Sequence, residues 1–156
     1  MIKEFFLLIR MMFASNPSAF TKIKVFDMRH FPFRGYKAMA WCGVIIHRIG
    51  TSEVDDKTIN HEMIHLSQAK ICGTWIKYYW LYFIEWIKGG IIINPASSAY
   101  YTSRYESEAY ANEDNPEYYL NYDGSNLQKY VFKNRKKLYR TIGGTSKKWI
   151  SYVKSL

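Results

Sequence analysis

Residues 61 to 65, His-Glu-Met-Ile-His, place two imidazoles four positions apart with a carboxylate directly after the first. On a helix this spacing stacks His61 and His65 on one face, where both can hold a single ion. Neutral imidazole is a good zinc ligand at about 2.0–2.1 Å. Glu62 falls about 100° round the helix from His61. That is too far to coordinate comfortably, yet near enough to act as general base on a water that zinc has made acidic. Two of the chain's 4 histidines are spent here. The competing reading is a pair of packed histidines on an ordinary helix.

A zinc hydrolase needs a third protein ligand and an open fourth position. The extended metalloprotease pattern, with a Gly and a third His just downstream, is absent, because Gln68 and Ile71 stand in those places. His30 and His47 both precede the motif. A carboxylate on a later helix is the other standard solution, and "YESEAYANE" offers two. Glu106 begins Glu-x-x-Ala with Ala109, and Glu108 begins the same pattern with Ala111. The small residue would let this helix approach the metal helix closely. The two glutamates lie about 200° apart on a helix, so only one can face the metal. The spacing leaves either open. Cys42 reads as a core thiol.

The elements that must position these groups follow from local signals. "TSEVDD" supplies the candidate caps Ser52, Asp55 and Asp56, predicting a helix that runs through His65 and stops at Gly73. Its apolar positions Ile59, Met63 and Leu66 follow helical spacing and predict one inward face. Upstream, "KAMAWCGVIIHRIG" is rich in β-formers and reads as a buried strand ending at Gly50. Downstream, "GTWIKYYWLYFIEWIKGGIII" is the most apolar stretch, yet its longest uncharged run, Tyr78–Ile84, is far short of the ~20 residues that span a bilayer. Lys77, Glu85 and Lys88 share one side of this helix, so it lies either in the core or in a membrane interface. A small domain needs such a helix over its site, which favours the core. Gly89-Gly90 should end it, Asn94-Pro95 should turn the chain, and the Glu106 helix should close before Asn115-Pro116. The N-terminal segment reads as a short amphipathic helix ending near Asn16-Pro17, since Arg10 interrupts any signal-peptide core.

The charge is unevenly placed. Net charge is +9, and nine basic residues with no acidic ones lie between Lys129 and Lys154. The rest of the chain carries 13 charges of each sign. The segment 129–156 therefore reads as a basic tail on a domain spanning 1–128, and points to an anionic partner such as a membrane surface. "KNRKKLYR" also suits nucleic acid, but no nucleic-acid-binding fold motif accompanies it. Two cysteines without a Cys-x-x-Cys pattern make no disulfide framework, so reduced thiols and a cytoplasmic location, peripheral to the inner membrane at most, are expected.

HExxH followed by a Glu on a later helix resembles the gluzincin metallopeptidases. "RYESEAYANE" looks like the Glu-x-Glu-Ala stretch of the membrane-associated CAAX-prenyl and heat-shock metallopeptidases, differing at Tyr110, where those enzymes carry Asp. A closer likeness is to small bacterial proteins with Asn-His-Glu-x-Ile-His-x-x-Gln, here Asn60 to Gln68, and Glu-x-Glu-Ala-Tyr-Ala-Asn-Glu, here Glu106 to Glu113. The resemblance implies an α+β, mostly helical fold: a minimal zincin-like domain with a short sheet packed on the HExxH helix. It implies zinc held by His61, His65 and Glu106, with Glu108 in support, and Glu62 activating water against a peptide or protein substrate. The alternative is a non-catalytic metal-binding or interaction protein that docks on an anionic membrane or another protein through residues 129–154 and the aromatic helix.

Overall fold

The computed structural model describes residues 2–20, 24–89 and 96–156. Gly90 and the turn expected at Asn94 and Pro95 lie outside them. The fold is α+β and mostly helical, with a small three-stranded sheet, and the chain divides into two compact units, 1–78 and 79–156.

The first unit opens with helix α1, Ile2–Ala14, followed by a single 3-10 turn, Pro17–Ala19, capped by Asn16. Strands β1 (Val25–Met28), β2 (Ala38–Trp41) and β3 (Val44–Arg48) form a sheet in the order β1-β3-β2. β1 runs parallel to β3 and β2 antiparallel to it. The stretch expected to be one strand is thus a hairpin. Its reversal lies at Cys42 (φ 44°) and Gly43 (φ 89°), both in the left-handed region that a two-residue turn with the twist of the flanking strands requires. Ile45 and Ile46 point to opposite faces and are both fully buried, so the central strand is covered on both sides. Leu8 of α1 packs with Val44 and Ile46, and its carbonyl accepts from Trp41 Nε1 at 2.9 Å.

Helix α2, Asp56–Cys72, carries the histidines. Asp55 caps it: its carboxylate accepts from the Thr58 backbone N–H at 2.8 Å and from the Thr58 hydroxyl, and these bonds hold its pKa at about 2. Gly73, at φ 83°, ends it. Of the three expected inward positions on α2, Leu66 is buried. Ile59 and Met63 are only half-buried, while Asn60, His61, Glu62, His65, Ser67 and Gln68 are buried. A helix that buries six polar side chains beside Ile64, Leu66 and Ala69 is built around a polar site.

Helix α3, Trp75–Gly89, was expected in the core, but Ile76, Trp80, Phe83 and Ile87 are about half exposed. Its buried positions include Trp75, Tyr78 and, against expectation, Glu85. The second unit explains Glu85. Arg135 donates from Nη1 to Glu85 Oε2 (2.8 Å) and to the Thr102 carbonyl (3.1 Å), and from Nη2 to the Glu85 carbonyl (3.0 Å). The paired charges and the extra backbone acceptors make this burial tolerable.

The remaining helices are α4 (Ala96–Tyr101), α5 (Arg104–Asn112), α6 (Arg135–Thr141) and α7 (Ser146–Lys154), with a 3-10 segment at Ser125–Tyr130. α6 and α7 are separated at Gly143 and Gly144, both at positive φ, where the sequence breaks the basic segment. That segment is folded rather than an appended tail. Trp149 is fully buried with Tyr130, Tyr139 and Val153, and its Nε1 donates to Ser107 Oγ of α5 at 3.1 Å.

Candidate metal centre

α2 brings His61 and His65 together as the spacing requires. Their rings are 4.9 Å apart and nearly perpendicular, with the two Nε2 atoms 3.2 Å from each other. Tyr78 O–H donates to Gln68 Oε1 at 3.3 Å, and the same oxygen lies 2.8 Å from His65 Nδ1. That contact makes Nδ1 the protonated nitrogen and leaves Nε2 with its lone pair directed at His61. Two neutral imidazole nitrogens at this separation match two ligands about 2.0–2.1 Å from one tetrahedral ion. The two imidazole nitrogens are therefore spaced as two ligands of one metal ion would be.

Glu62 is buried beside them, and its Oε2 accepts from the Ala40 backbone N–H at 2.5 Å. β2 is an edge strand of the sheet, so Ala40 offers this N–H outward rather than to β3. The alternation of side chains puts Ala38 and Ala40 on the face opposite Met39 and Trp41. Two methyl groups there leave room for α2 alongside.

In the second unit, Glu106 stands in the first turn of α5, where the helix N-terminus favours a carboxylate. It is buried, and Tyr82 O–H donates to its Oε1. The Tyr82 ring is stacked on Tyr105, centroids 5.7 Å apart, which fixes the donor. Glu108 is fully buried elsewhere on α5 and accepts from Tyr118 O–H (2.9 Å) and Tyr122 O–H (2.8 Å). Burial, and then the Glu108 charge, push both phenols well above their ordinary pKa, so each remains a donor.

His61, His65 and Glu106 form a buried group in which one ligand atom from each lies within 4.8 Å of the others, and this group could hold a metal ion. Glu108 is not in that group. The sequence singled out His61, His65 and Glu106, which the fold brings together, but not the side chains that hydrogen-bond to them. Gln68 sits one helical turn beyond His65, close enough in sequence to have been read as its partner. Tyr78 and Tyr82 also lie one turn apart on α3, a spacing hidden among the chain's 14 tyrosines. No family model, curated protein or solved structure matches the chain.

Proposed function

We propose that the protein is a zinc-dependent metallopeptidase of gluzincin type, hydrolysing peptide or amide bonds. The buried His61, His65 and Glu106 group, with Glu62 adjacent to His61 in sequence, is the observation that carries this reading. Zinc held there would lower the pKa of a water to about 7 and polarise the scissile carbonyl. Glu62 takes the proton of the attacking water and delivers it to the leaving amine. Gln68, braced by Tyr78, keeps His65 in the tautomer that coordinates through Nε2. Tyr82 holds the Glu106 carboxylate in one orientation. β2, the edge strand nearest Glu62, is where an extended peptide would pair. In this reading the chain is a minimal zincin-like domain.

The test is Glu62→Gln. Turnover should disappear while zinc remains bound at the wild-type stoichiometry, as read by elemental analysis. Turnover that survives this change rules the mechanism out.

A second reading is supported by the Ala40 to Glu62 hydrogen bond, which ties the sheet edge to α2. Here Glu62 is a structural carboxylate, and the metal serves only stability. Under it Glu62→Gln lowers the melting temperature, and no peptide is cleaved by the wild type.

A further inference from the structure

Within the second unit a cleft of about 650 Å³ opens between the end of α3 and α6. Its walls carry five cationic side chains, Lys88, Arg135, Lys136, Lys137 and Arg140, against one carboxylate, Glu85. Arg135 already satisfies Glu85 at 2.8 Å, and Lys88 lies 3.5 Å from it. Lys136, Lys137 and Arg140 form no ion pair among the described residues, and Lys137 and Arg140 are exposed on α6. Arg135 is buried at the base of the cleft and held in place from three directions, so the cationic wall is built on a fixed point.

The volume lies in the range of small-molecule pockets, in a cleft that stays open to solvent. With Glu85 neutralised, four positive charges remain around the cleft. A singly charged anion would leave most of them repelling one another. A ligand with two or more negative charges removes that repulsion. Arg140 offers a planar fork and the lysines offer point charges, the combination that suits phosphate oxygens. Phe132 and Val131 supply an apolar flank on which the rest of a phosphate ester can lie.

We infer that this cleft is a binding site for a multiply charged phosphate group, carried by a soluble diphosphate or phosphate ester or by a phosphomonoester lipid headgroup. It gives a role to four of the nine basic residues between Lys129 and Lys154, independently of the metal centre.

The experiment is calorimetric titration of the full chain with inorganic pyrophosphate at fixed ionic strength. Saturable binding near one equivalent is expected, weakened at least about tenfold in the Lys137→Ala/Arg140→Ala double variant. Lys147→Ala/Lys148→Ala, on the exposed surface of α7, removes the same charge and should bind as wild type. Circular dichroism checks that both variants are folded. A second arm uses vesicles of phosphatidate in phosphatidylcholine, with phosphatidylcholine alone as blank. Vesicle binding that pyrophosphate displaces assigns the site to a lipid headgroup. Pyrophosphate binding without vesicle capture assigns it to a soluble ligand, and either supports the site. No pyrophosphate binding, or equal weakening in both double variants, overturns it, the latter by showing a diffuse field instead of a cleft.

Discussion

Gln68 sets which nitrogen of His65 faces the ligand group, so its side chain is worth more than its place on a helix suggests. Removing the acceptor in Gln68→Ala frees His65 to take either tautomer, and zinc affinity should fall by about 10–100-fold in a competition titration against a chelator. Gln68→Glu keeps the acceptor and should retain affinity. Equal loss in both variants would mean that Gln68 only packs. The same scale shows what a sequence can reveal about a site. His61, Glu62 and His65 were legible because one helical turn converts spacing directly into adjacency. Gln68 is legible by the same rule once the tautomer question is asked. The tyrosines are different: Tyr118 and Tyr122 meet Glu108 across 10 and 14 residues, and Tyr82 meets Glu106 across 24. No periodicity links residues on separate elements. Spacing therefore left Glu106 and Glu108 equivalent, although the folded chain gives Glu108 two phenol partners of its own.

Elements with chemical punctuation were the ones that could be read. Asp55 and Gly73 bound α2 as expected, the first through a side-chain cap and the second through a left-handed backbone. Asp55→Ala should cost about 1 kcal/mol of stability in urea denaturation near pH 6. The carboxyl is at 3.8 in its ordinary setting and about 2 in the folded chain, a lowered value. Its contribution is therefore complete above pH 3.8 and lost as pH falls toward 2. The wild-type and Asp55→Ala curves should converge across that window, and a constant gap down to pH 2 would remove the cap from the account. The hairpin was missed because its turn has an unusual first residue. Asn-Gly or Asp-Gly would have signalled it, whereas Cys42-Gly43 inside a β-rich run looks continuous. Gly43 carries the requirement, since its φ is 89° and an added Cβ would also run into the Phe20 ring. Gly43→Ala should lower stability by at least about 1–2 kcal/mol, measured as a lower urea midpoint with an unchanged slope. α3 was misjudged for a related reason. Its apolar content indicated burial, but hydropathy cannot foresee that Arg135, 50 residues away, would draw Glu85 inward.

At the scale of the whole molecule, the proposed ligands come from segments 41 residues apart in sequence, so metal binding and folding should be linked. An unfolded chain offers no preformed site, and zinc that binds only the folded state stabilises it in proportion to the logarithm of its concentration. At about a thousandfold excess over the dissociation constant the gain is about 4 kcal/mol. For a chain of this length each kcal/mol moves the melting temperature by about 2–4 °C, so zinc should raise it by roughly 8–16 °C. Chelator should reverse the shift. His61→Ala and Glu106→Ala should melt at one temperature with or without zinc. Glu108→Ala should behave otherwise: it removes the acceptor shared by the half-buried Tyr118 and Tyr122 hydroxyls and lowers the baseline, yet the zinc shift should persist in full. The contrast between the two glutamates is the decisive reading, because loss of folding and loss of a ligand then appear in different columns of one experiment. A zinc shift that survives Glu106→Ala and vanishes in Glu108→Ala would reverse the assignment of the third ligand. A wild type whose melting temperature ignores zinc would return His61 and His65 to the role of packed histidines in a polar core.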